Sequence, residues 1–115
     1  MRGSSLFNTS IQGRVSTNYN REAVLNWRQL VENAFASLTF PNIDQRRLAV
    51  DLKFWLSQGR LQTQKNDLDN LAKPVLDSMK RIGIIHDDSH IFHLTIEKFP
   101  TIGEEGIYVK MSDWD

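Results

Sequence analysis

Acidic residues and lysines alternate in one short segment of this chain. Residues 65–77, KNDLDNLAKPVLD, contain Lys65, Asp67, Asp69, Lys73 and Asp77. If Asp67, Leu68 and Asp69 are extended, strand alternation places both carboxylates on one face and Leu68 in the core. Asp69 would then cap a helix, with Lys73 and Asp77 following at four-residue steps on one helical face. The segment therefore predicts that acids and a lysine converge on one point.

A second acidic turn follows that helix. The segment IIHDDSH places Asp87 and Asp88 directly after the apolar pair Ile84 and Ile85. Adjacent acids repel each other unless a cation lies with them. If the turn returns to the first acids, the oxygen-rich set with no soft ligand favours Mg²⁺ or Mn²⁺ over zinc. The sequence does not fix which end of the helix the turn approaches.

Such a site would be suited to phosphodiester hydrolysis. Mg²⁺ keeps bound waters, activates an attacking water and neutralises charge on a phosphodiester. A lysine such as Lys73 can stabilise the remaining negative charge or orient the nucleophile. A purely structural interpretation stays open, because caps and turns often use aspartate. In that interpretation Asp69 caps the helix, Lys73 and Asp77 form an exposed ion pair, and Asp87 and Asp88 form a turn.

The elements that would position these residues alternate between strands and helices. Strands are predicted over 6–15, 47–56, 91–98 and 106–111, and helices over 21–38 and 69–81. This order predicts an α/β (α+β) fold, with a small mixed sheet of about four strands and two helices packed on it. The segment 57–66 is predicted to be a polar loop, and Gly83 suits the exit of the second helix.

Hydrophobic periodicity assigns the buried faces of these elements. In the first helix Trp27, Leu30 and Phe35 belong to a broad apolar stripe; Asn20 is the predicted cap, and Pro41 ends the helix. In the second helix the inward residues are Leu71, Val75, Leu76 and Met79. In the last three strands they are Leu48, Val50, Leu52, Phe54 and Leu56; Phe92, Leu94 and Ile96; and Ile107, Val109 and Met111.

Length and composition bound the class of protein. The 115 residues, 40% of them hydrophobic, predict a single folded domain over 1–115. With no cysteine, disulfides and thiolate metal sites are excluded, which fits a reducing cytoplasm. No apolar run approaches the ~20 residues that span a bilayer. The N-terminal segment also lacks the apolar core of a signal peptide. We therefore expect a cytoplasmic protein that does not insert into membranes.

The zero net charge conceals an asymmetry between the two halves of the chain. Residues 1–66 carry nine Lys and Arg against four Asp and Glu, a balance of +5. Residues 67–115 carry five against ten, a balance of −5. This pattern is compatible with polyanion contacts from the first half and metal binding by the second, or with charge scattered over a solvated surface.

The acidic segment resembles the signature of RusA-like Holliday junction resolvases, the crossover junction endodeoxyribonucleases. Residues 67–91, DLDNLAKPVLDSMKRIGIIHDDSHI, follow the pattern D-x-D-N-x-x-K-x-x-x-D-x-L, then a glycine, then D-D-x-x-I. The matches are Asp67, Asp69, Asn70, Lys73, Asp77, Gly83, Asp87, Asp88 and Ile91, with Met79 where leucine is usual. The resemblance implies a Mg²⁺-dependent endonuclease, with Mn²⁺ as a substitute, that resolves four-way DNA junctions by paired symmetric cuts as a homodimer.

The resemblance also implies roles for individual residues. Asp67, Asp69 and Asp88 would be the catalytic acids that hold the metal. Asp87 would support them as a further metal-site member, and Lys73 would be the assisting cation. The remaining motif residues, Asn70 and Asp77, are assigned supporting positions. The chain departs from the family in lacking an N-terminal proline-rich segment and in having its basic run before the motif reduced to Arg60 and Lys65.

DNA contacts would come from the basic half of the chain. The candidates are Arg14, Arg21, Arg28, Arg46, Arg47, Arg60 and Lys65. Arg21 and Arg28 lie seven positions apart, so they share a helix face. Recognition would be of the DNA backbone and junction shape and therefore salt-dependent. A C2 homodimer matches the two-fold symmetry of a four-way junction. Trp55 is a candidate interface residue unless a helix covers it.

Three other functions compete with a junction resolvase. The first is a nuclease with the same chemistry and a looser preference for branched DNA. The second is a structure-selective DNA-binding dimer without catalysis. The third is a small interaction module whose acids only decorate the surface. Cleavage of a four-way junction would indicate a nuclease. Binding without cleavage would indicate the DNA-binding dimer, and no binding to nucleic acid would indicate the interaction module.

Overall fold

The strand with the clearest alternation lies inside the sheet. In a computed structural model, which describes residues 2–16, 21–36, 46–64 and 66–114, the five inward residues predicted for this strand are fully buried. The elements in chain order are β1 (Arg2–Gln12), α1 (Arg21–Phe35), β2 (Leu48–Ser57), α2 (Gln58–Thr63), α3 (Leu68–Arg81), β3 (Ile91–Thr101) and β4 (Gly106–Trp114). A one-turn 3₁₀ helix, Asp88–His90, precedes β3. The predicted α+β fold is confirmed.

The sheet is mixed, and its topology determines where α3 lies. The strand order is β1-β4-β2-β3. β4 is antiparallel to both β1 and β2, whereas β3 runs parallel to β2 at the edge of the sheet. Parallel neighbours require a crossover connection, and α2 and α3 provide it between β2 and β3. The crossover places the residues after α3 at the beginning of β3.

One hydrophobic core joins the helices to the inner strands. Trp27, Val31 and Phe35 of α1 are at most 1% exposed. In α3 the residues Leu71, Val75 and Met79 are fully buried, and Leu76 is partly buried against the core, as predicted. In β4 the predicted inward residues Ile107, Val109 and Met111 are also buried. Hydrophobic burial of these faces is the main stabilising contribution to the fold.

Several predicted burial assignments are wrong. Leu30 of α1 is 40% exposed, because the buried stripe follows Trp27, Val31 and Phe35 and leaves Leu30 at its margin. Phe92 and Leu94 are 55% and 39% exposed. They lie on an edge strand, which has a neighbouring strand on one side only, so the core covers them incompletely. The predicted cap Asn20 and the predicted helix end at Leu38 and Pro41 lie outside the described residues.

The segment predicted to be a polar loop contains a short helix instead. α2 occupies Gln58–Thr63 and has no fully buried residue. Leu61 packs against the core from a partly buried position, and Arg60 is tied to distant parts of the chain. A single apolar residue in six gives no helical periodicity, so the sequence pattern carries no signal for this helix.

The ends of α3 were predicted with different success. The helix begins at Leu68 with Asp67 as its N-cap residue, so the prediction of an extended Asp67-Leu68-Asp69 segment with Leu68 buried is wrong. Leu68 is 40% exposed, because the helical stripe begins at Leu71. The exit at Gly83 is confirmed by its φ of 82°, which favours glycine.

None of the described helices is long and apolar enough to cross a membrane.

Gly106 provides a test of the β1–β4 pairing. A Cβ atom at this position would lie 2.5 Å from the carbonyl oxygen of Ile11 in the neighbouring strand. We expect Gly106→Ala to lower the free energy of unfolding by about 1–3 kcal/mol in urea denaturation, because the backbones must separate. Gly59→Ala is the matched control, since nothing lies within 4 Å of its added Cβ. Because Gly59 lies in the first turn of the short helix α2, this control should change stability by less than about 1 kcal/mol. Equal effects of the two substitutions would contradict the tight pairing.

Candidate active site

The motif residues on α3 form one polar stripe. Asp69, Lys73, Asp77 and Lys80 follow each other at steps of four, four and three residues, so they share a helical face. They line a cleft of about 330 Å³ between α3 and β3. The other lining residues are Ala72, Leu76, Asp88, Leu94 and Ile96. The predicted four-residue alignment of Asp69, Lys73 and Asp77 is confirmed.

Asp88 reaches this cleft through a compact turn. Ile84 and Ile85 are buried after the helix exit and anchor the chain. Asp87 then caps the 3₁₀ helix, its Oδ1 accepting a bond from the Ser89 amide at 3.4 Å. The Asp88 side chain remains 58% exposed and its Oδ1 lies 3.6 Å from Lys80 Nζ. The turn therefore approaches the second half of α3, which the sequence had left open.

A lysine lies between two of the carboxylates. Lys80 Nζ is 3.5 Å from Asp77 Oδ1 and 3.6 Å from Asp88 Oδ1. An ammonium group at this place offsets the repulsion between the two acids. Sequence reasoning missed Lys80, although its position three residues after Asp77 on the same helical face was a usable signal.

The acids do not all meet at one point. Asp69 and Asp77 are eight residues apart, which is about 12 Å along a helix axis. Among the residues that the structure describes, no three His, Cys, Asp or Glu side chains form a group suited to hold one metal ion. Asp67 and Asp87 are exposed and lie two and one positions before the lining residues Asp69 and Asp88, but they do not line the cleft themselves. The predicted meeting of Asp67, Asp69 and Asp88 stays a prediction.

The start of α3 favours negative charge. Asp67 is the N-cap residue, but its side chain makes no capping hydrogen bond. Asp69 lies in the first turn instead of at the cap, and its Oδ1 accepts a bond from the Asn70 amide at 3.0 Å. Unpaired backbone N–H groups and the helix dipole stabilise both carboxylates here. The predicted cap was displaced by two residues because Leu68 is already helical.

A second groove, between α1 and α3, adjoins the acidic cleft. Its volume is about 420 Å³, and its lining residues are Arg21, Val24, Leu25, Arg28, Asn70, Lys73 and Pro74. Lys73 lines both the groove and the cleft. Arg28 Nη2 also lies 3.5 Å from Asp77 Oδ2, which links α1 to the acidic stripe. Two of the predicted DNA contacts, Arg21 and Arg28, are therefore next to the motif residues.

The other predicted DNA contacts lie elsewhere. Arg14 lines a separate hollow together with Arg60, Glu104 and Glu105. The Arg60 side chain is only 11% exposed and pairs with Glu105 at 2.8 Å, so a DNA contact would require that pair to break. Arg46 pairs with Asp113 at 2.9 Å, and the Arg47 guanidinium lies 5.7 Å from the ring centre of Phe92. Lys65 lies outside the described residues.

Comparison with known proteins assigns the chain to a family. The fold and the motif define a small α+β protein with an acidic cleft beside a cationic groove. Residues 7–112 match the family model described as endodeoxyribonuclease RusA. The chain belongs to the RusA endodeoxyribonuclease family.

One curated relative matches a shorter segment. It is the crossover junction endodeoxyribonuclease RusA of Aquifex aeolicus (strain VF5), which is 33% identical over 64 residues. These residues are 56% of this chain and 48% of the relative, so the match spans about half the length of that protein.

Lys80 provides a test of the charge balance in the cleft. We expect Lys80→Gln to lower the free energy of unfolding by at most about 1 kcal/mol, because Asp77 and Asp88 lose their shared partner at an exposed site. Added Mn²⁺ should raise the melting temperature of this variant more than that of the unaltered protein, because the ion replaces the ammonium charge. Arg81→Gln, at the neighbouring position and paired with Glu32 instead, is the control. An equal rise in melting temperature with Mn²⁺ in both variants would contradict the assignment of Lys80 as the cation between Asp77 and Asp88.

Proposed function

We propose that this protein is a Mg²⁺-dependent endodeoxyribonuclease that resolves four-way DNA junctions by paired, symmetric phosphodiester hydrolysis. Family membership supports the reaction class. The observation that carries the proposal is the acidic cleft on α3 lying directly beside a cationic groove, with Lys73 in both. Acids suited to a hard cation and cations suited to a phosphate are both required for metal-assisted cleavage of a polyanion.

The cleft donors suit a hard divalent cation by chemistry, although the three acids that line the cleft do not converge on one point. Asp69, Asp77 and Asp88 offer carboxylate oxygens and no soft ligand. The Lys80 ammonium between Asp77 and Asp88 indicates that this place already attracts positive charge. Bound Mg²⁺, or Mn²⁺ in its place, would supply an activated water and charge neutralisation at the scissile phosphate.

We assign the metal-holding roles to Asp67, Asp69 and Asp88, with Asp87 in support, as the motif implies. Asp69 and Asp88 have the strongest basis, because both the motif and the cleft include them. For Asp67 the motif is the only support. Asp77 differs from Asp67 in this respect, because it lines the cleft. The motif resemblance gives Asp77 only a supporting role, together with Asn70.

The remaining polar residues of the chain would bind and orient the substrate. Lys73 is placed to stabilise negative charge on the phosphate at the boundary of cleft and groove. Asn70 can donate or accept hydrogen bonds in the groove. Arg21 and Arg28 would contact phosphates further along the strand, since guanidinium groups bind phosphate in a bidentate manner. The apolar residues Val24, Leu25 and Pro74 give the groove a wall suited to the sugar or base rather than to phosphate.

The assembly and location belong to the same proposal. A homodimer would present two equal acidic clefts to the two strands that must be cut, consistent with C2 symmetry. Trp55, which stacks on Phe99 with ring centres 5.5 Å apart, remains a candidate for the interface. A single domain over 1–115 and a cytoplasmic location are part of the proposal. DNA recognition by Arg14 and Lys65 has less support than recognition by Arg21 and Arg28. Recognition by Arg60 has the least support, because its side chain is already paired with Glu105.

Substitution of individual acids tests the catalytic assignment. We expect Asp69→Asn and Asp88→Asn to lower the Mg²⁺-dependent cleavage of a synthetic four-way junction by at least about 100-fold, with binding to the junction retained. Cleavage is measured on labelled strands, and binding by a gel-shift assay in Ca²⁺. Glu97→Gln is the control, because Glu97 is exposed in β3 one residue beyond the cleft-lining Ile96 and so points to the other face of the sheet.

Two further variants separate the motif from the cleft. If the metal is held as the motif implies, Asp67→Asn abolishes cleavage and Asp77→Asn only weakens it. A larger loss of cleavage in Asp77→Asn than in Asp67→Asn would show that the residues lining the cleft, and not the acids of the motif, hold the ion. Binding of the junction by the unaltered protein without any cut in Mg²⁺ or Mn²⁺ would instead identify a non-catalytic DNA-binding dimer.

The salt dependence of binding tests the path of the DNA. Affinity falls as the salt concentration rises, so the slope of log affinity against log salt concentration is negative. Arg21→Ala and Arg28→Ala should each make this slope less steep by about 1, because one phosphate contact is lost. Binding is measured by fluorescence anisotropy between low and moderate salt. Lys53→Ala is the control. It removes one charge from the face of β2 opposite to the buried Leu52 and Phe54, away from the groove, and should leave the slope unchanged. If Lys53→Ala changed the slope as much as the two arginine variants, the groove would not be the DNA path.

A further inference from the structure

Arg60 is the centre of a largely buried polar cluster outside the cleft. It lies in α2, and its side chain is 11% exposed. Nη1 is 2.8 Å from Glu105 Oε1, and the Glu105 side chain is itself 12% exposed. The same nitrogen donates to the carbonyl oxygen of Val15, and Nε donates to Asn66 Oδ1 at 3.0 Å. Three separate segments therefore meet on one guanidinium group.

Asn66 connects this cluster to the proposed metal site. It is 4% exposed and directly precedes Asp67, the N-cap residue of α3. Its Nδ2 donates to the carbonyl oxygens of Arg60 and Gln64 at 3.3 and 3.1 Å. Its own carbonyl oxygen accepts a bond from Lys98 Nζ at 2.8 Å. Both the side chain and the backbone of Asn66 are thus held, which leaves little freedom for the next residue.

Glu105 secures the other side of the cluster. Its Oε2 accepts a bond from the Ser57 amide at 2.8 Å, at the end of β2. Its backbone carbonyl accepts a bond from the Gly13 amide at 2.9 Å, just after β1. The cluster therefore joins the ends of β1 and β2 and the loop before β4 to the start of α3. Because the paired charges are nearly buried, removal of either partner leaves the other without compensation.

We propose that Arg60 is a positioning residue for the proposed nuclease reaction: it fixes Asn66, and through Asn66 the orientation of Asp67 and of the first turn of α3 that carries Asp69. This inference rests on the proposed function. Arg60 does not touch the acids. It acts through the chain, since the first hydrogen bond of α3, from the Leu71 amide to the Asp67 carbonyl at 3.0 Å, begins at the residue that follows Asn66.

The geometry requires arginine specifically. The guanidinium group donates in two directions at once, to Asn66 through Nε and to Glu105 and Val15 through Nη1. A lysine ammonium keeps the charge and can pair with Glu105, but it lacks the planar fork that also reaches Asn66. Arg60→Lys therefore separates the positioning contact from the ion pair.

The test compares Arg60→Lys and Glu105→Gln with Glu32→Gln. Glu32 also pairs with an arginine, Arg81, but at the last turn of α3, so its variant is matched in chemistry and remote from Asp67. Four quantities are measured for each full-length protein: the hydrogen exchange rate of the Leu71 amide by NMR, Mn²⁺ affinity by calorimetry, junction affinity in Ca²⁺, and kcat for junction cleavage. Thermal unfolding shows which variants are folded at the assay temperature.

Both cluster variants should accelerate exchange of the Leu71 amide by about tenfold, because the start of α3 opens more often. They should lower kcat by about 10- to 100-fold through misplaced acids, weaken Mn²⁺ binding, and leave junction affinity within about twofold, as few phosphate contacts change. Glu32→Gln should behave as the unaltered protein. Glu105→Gln, which keeps the shape of the side chain, carries the test if Arg60→Lys does not fold.

Two results would overturn the inference. One is exchange and Mn²⁺ binding in both cluster variants equal to those of Glu32→Gln. The other is a loss of junction affinity in Arg60→Lys with kcat unchanged, which would make Arg60 a DNA contact. If the unaltered protein cuts no junction, the proposed function fails, while the exchange rates still decide whether Arg60 orders the start of α3.

Discussion

Burial of the apolar side of α3 determines how the rest of the site is arranged. Leu71, Val75 and Met79 are fully buried against the sheet, so the opposite side of the helix must carry the charged residues. With 3.6 residues per turn, Asp69, Lys73 and Asp77 then share one line along the helix. A rotation of the helix by about half a turn would bury these charges, at a large desolvation cost. The hydrophobic core and the polar stripe are two consequences of one helix orientation.

The cleft balances its charges with the chain's own lysines. Three acids line it, together with Lys73 and Lys80, so like charges are offset in the free protein. In the proposed reaction, a divalent cation and a phosphate would replace these internal partners. Because all of these side chains except Asp88 lie on α3, which is packed against the sheet, this exchange needs rotamer changes more than backbone movement. The arrangement is compatible with a site that is largely formed before the substrate arrives.

Local patterns predicted much of the fold. Alternation identified β2 and β4 and the buried face of each, and the three- and four-residue steps identified α1 and α3. The failures have physical causes. α2 contains only Leu61 as an apolar anchor, so it left no periodic signal. The extended Asp67–Asp69 segment was wrong because α3 begins at Leu68, and helix ends are where propensity constrains the chain least. Phe92 and Leu94 looked buried because alternation does not show which strand is at an edge.

By itself, the sequence determined which residues share a face of α3, since helical spacing is a local property that follows from backbone geometry. It also carried the motif that indicates the family. The tertiary structure alone decided that the Asp88 turn approaches Asp77 and Lys80, and that Arg60 pairs with Glu105 45 positions away. The physical reason is that these contacts depend on the parallel pairing of β2 with β3 and on the crossover that joins them. No spacing within a single element encodes how separate elements are brought together.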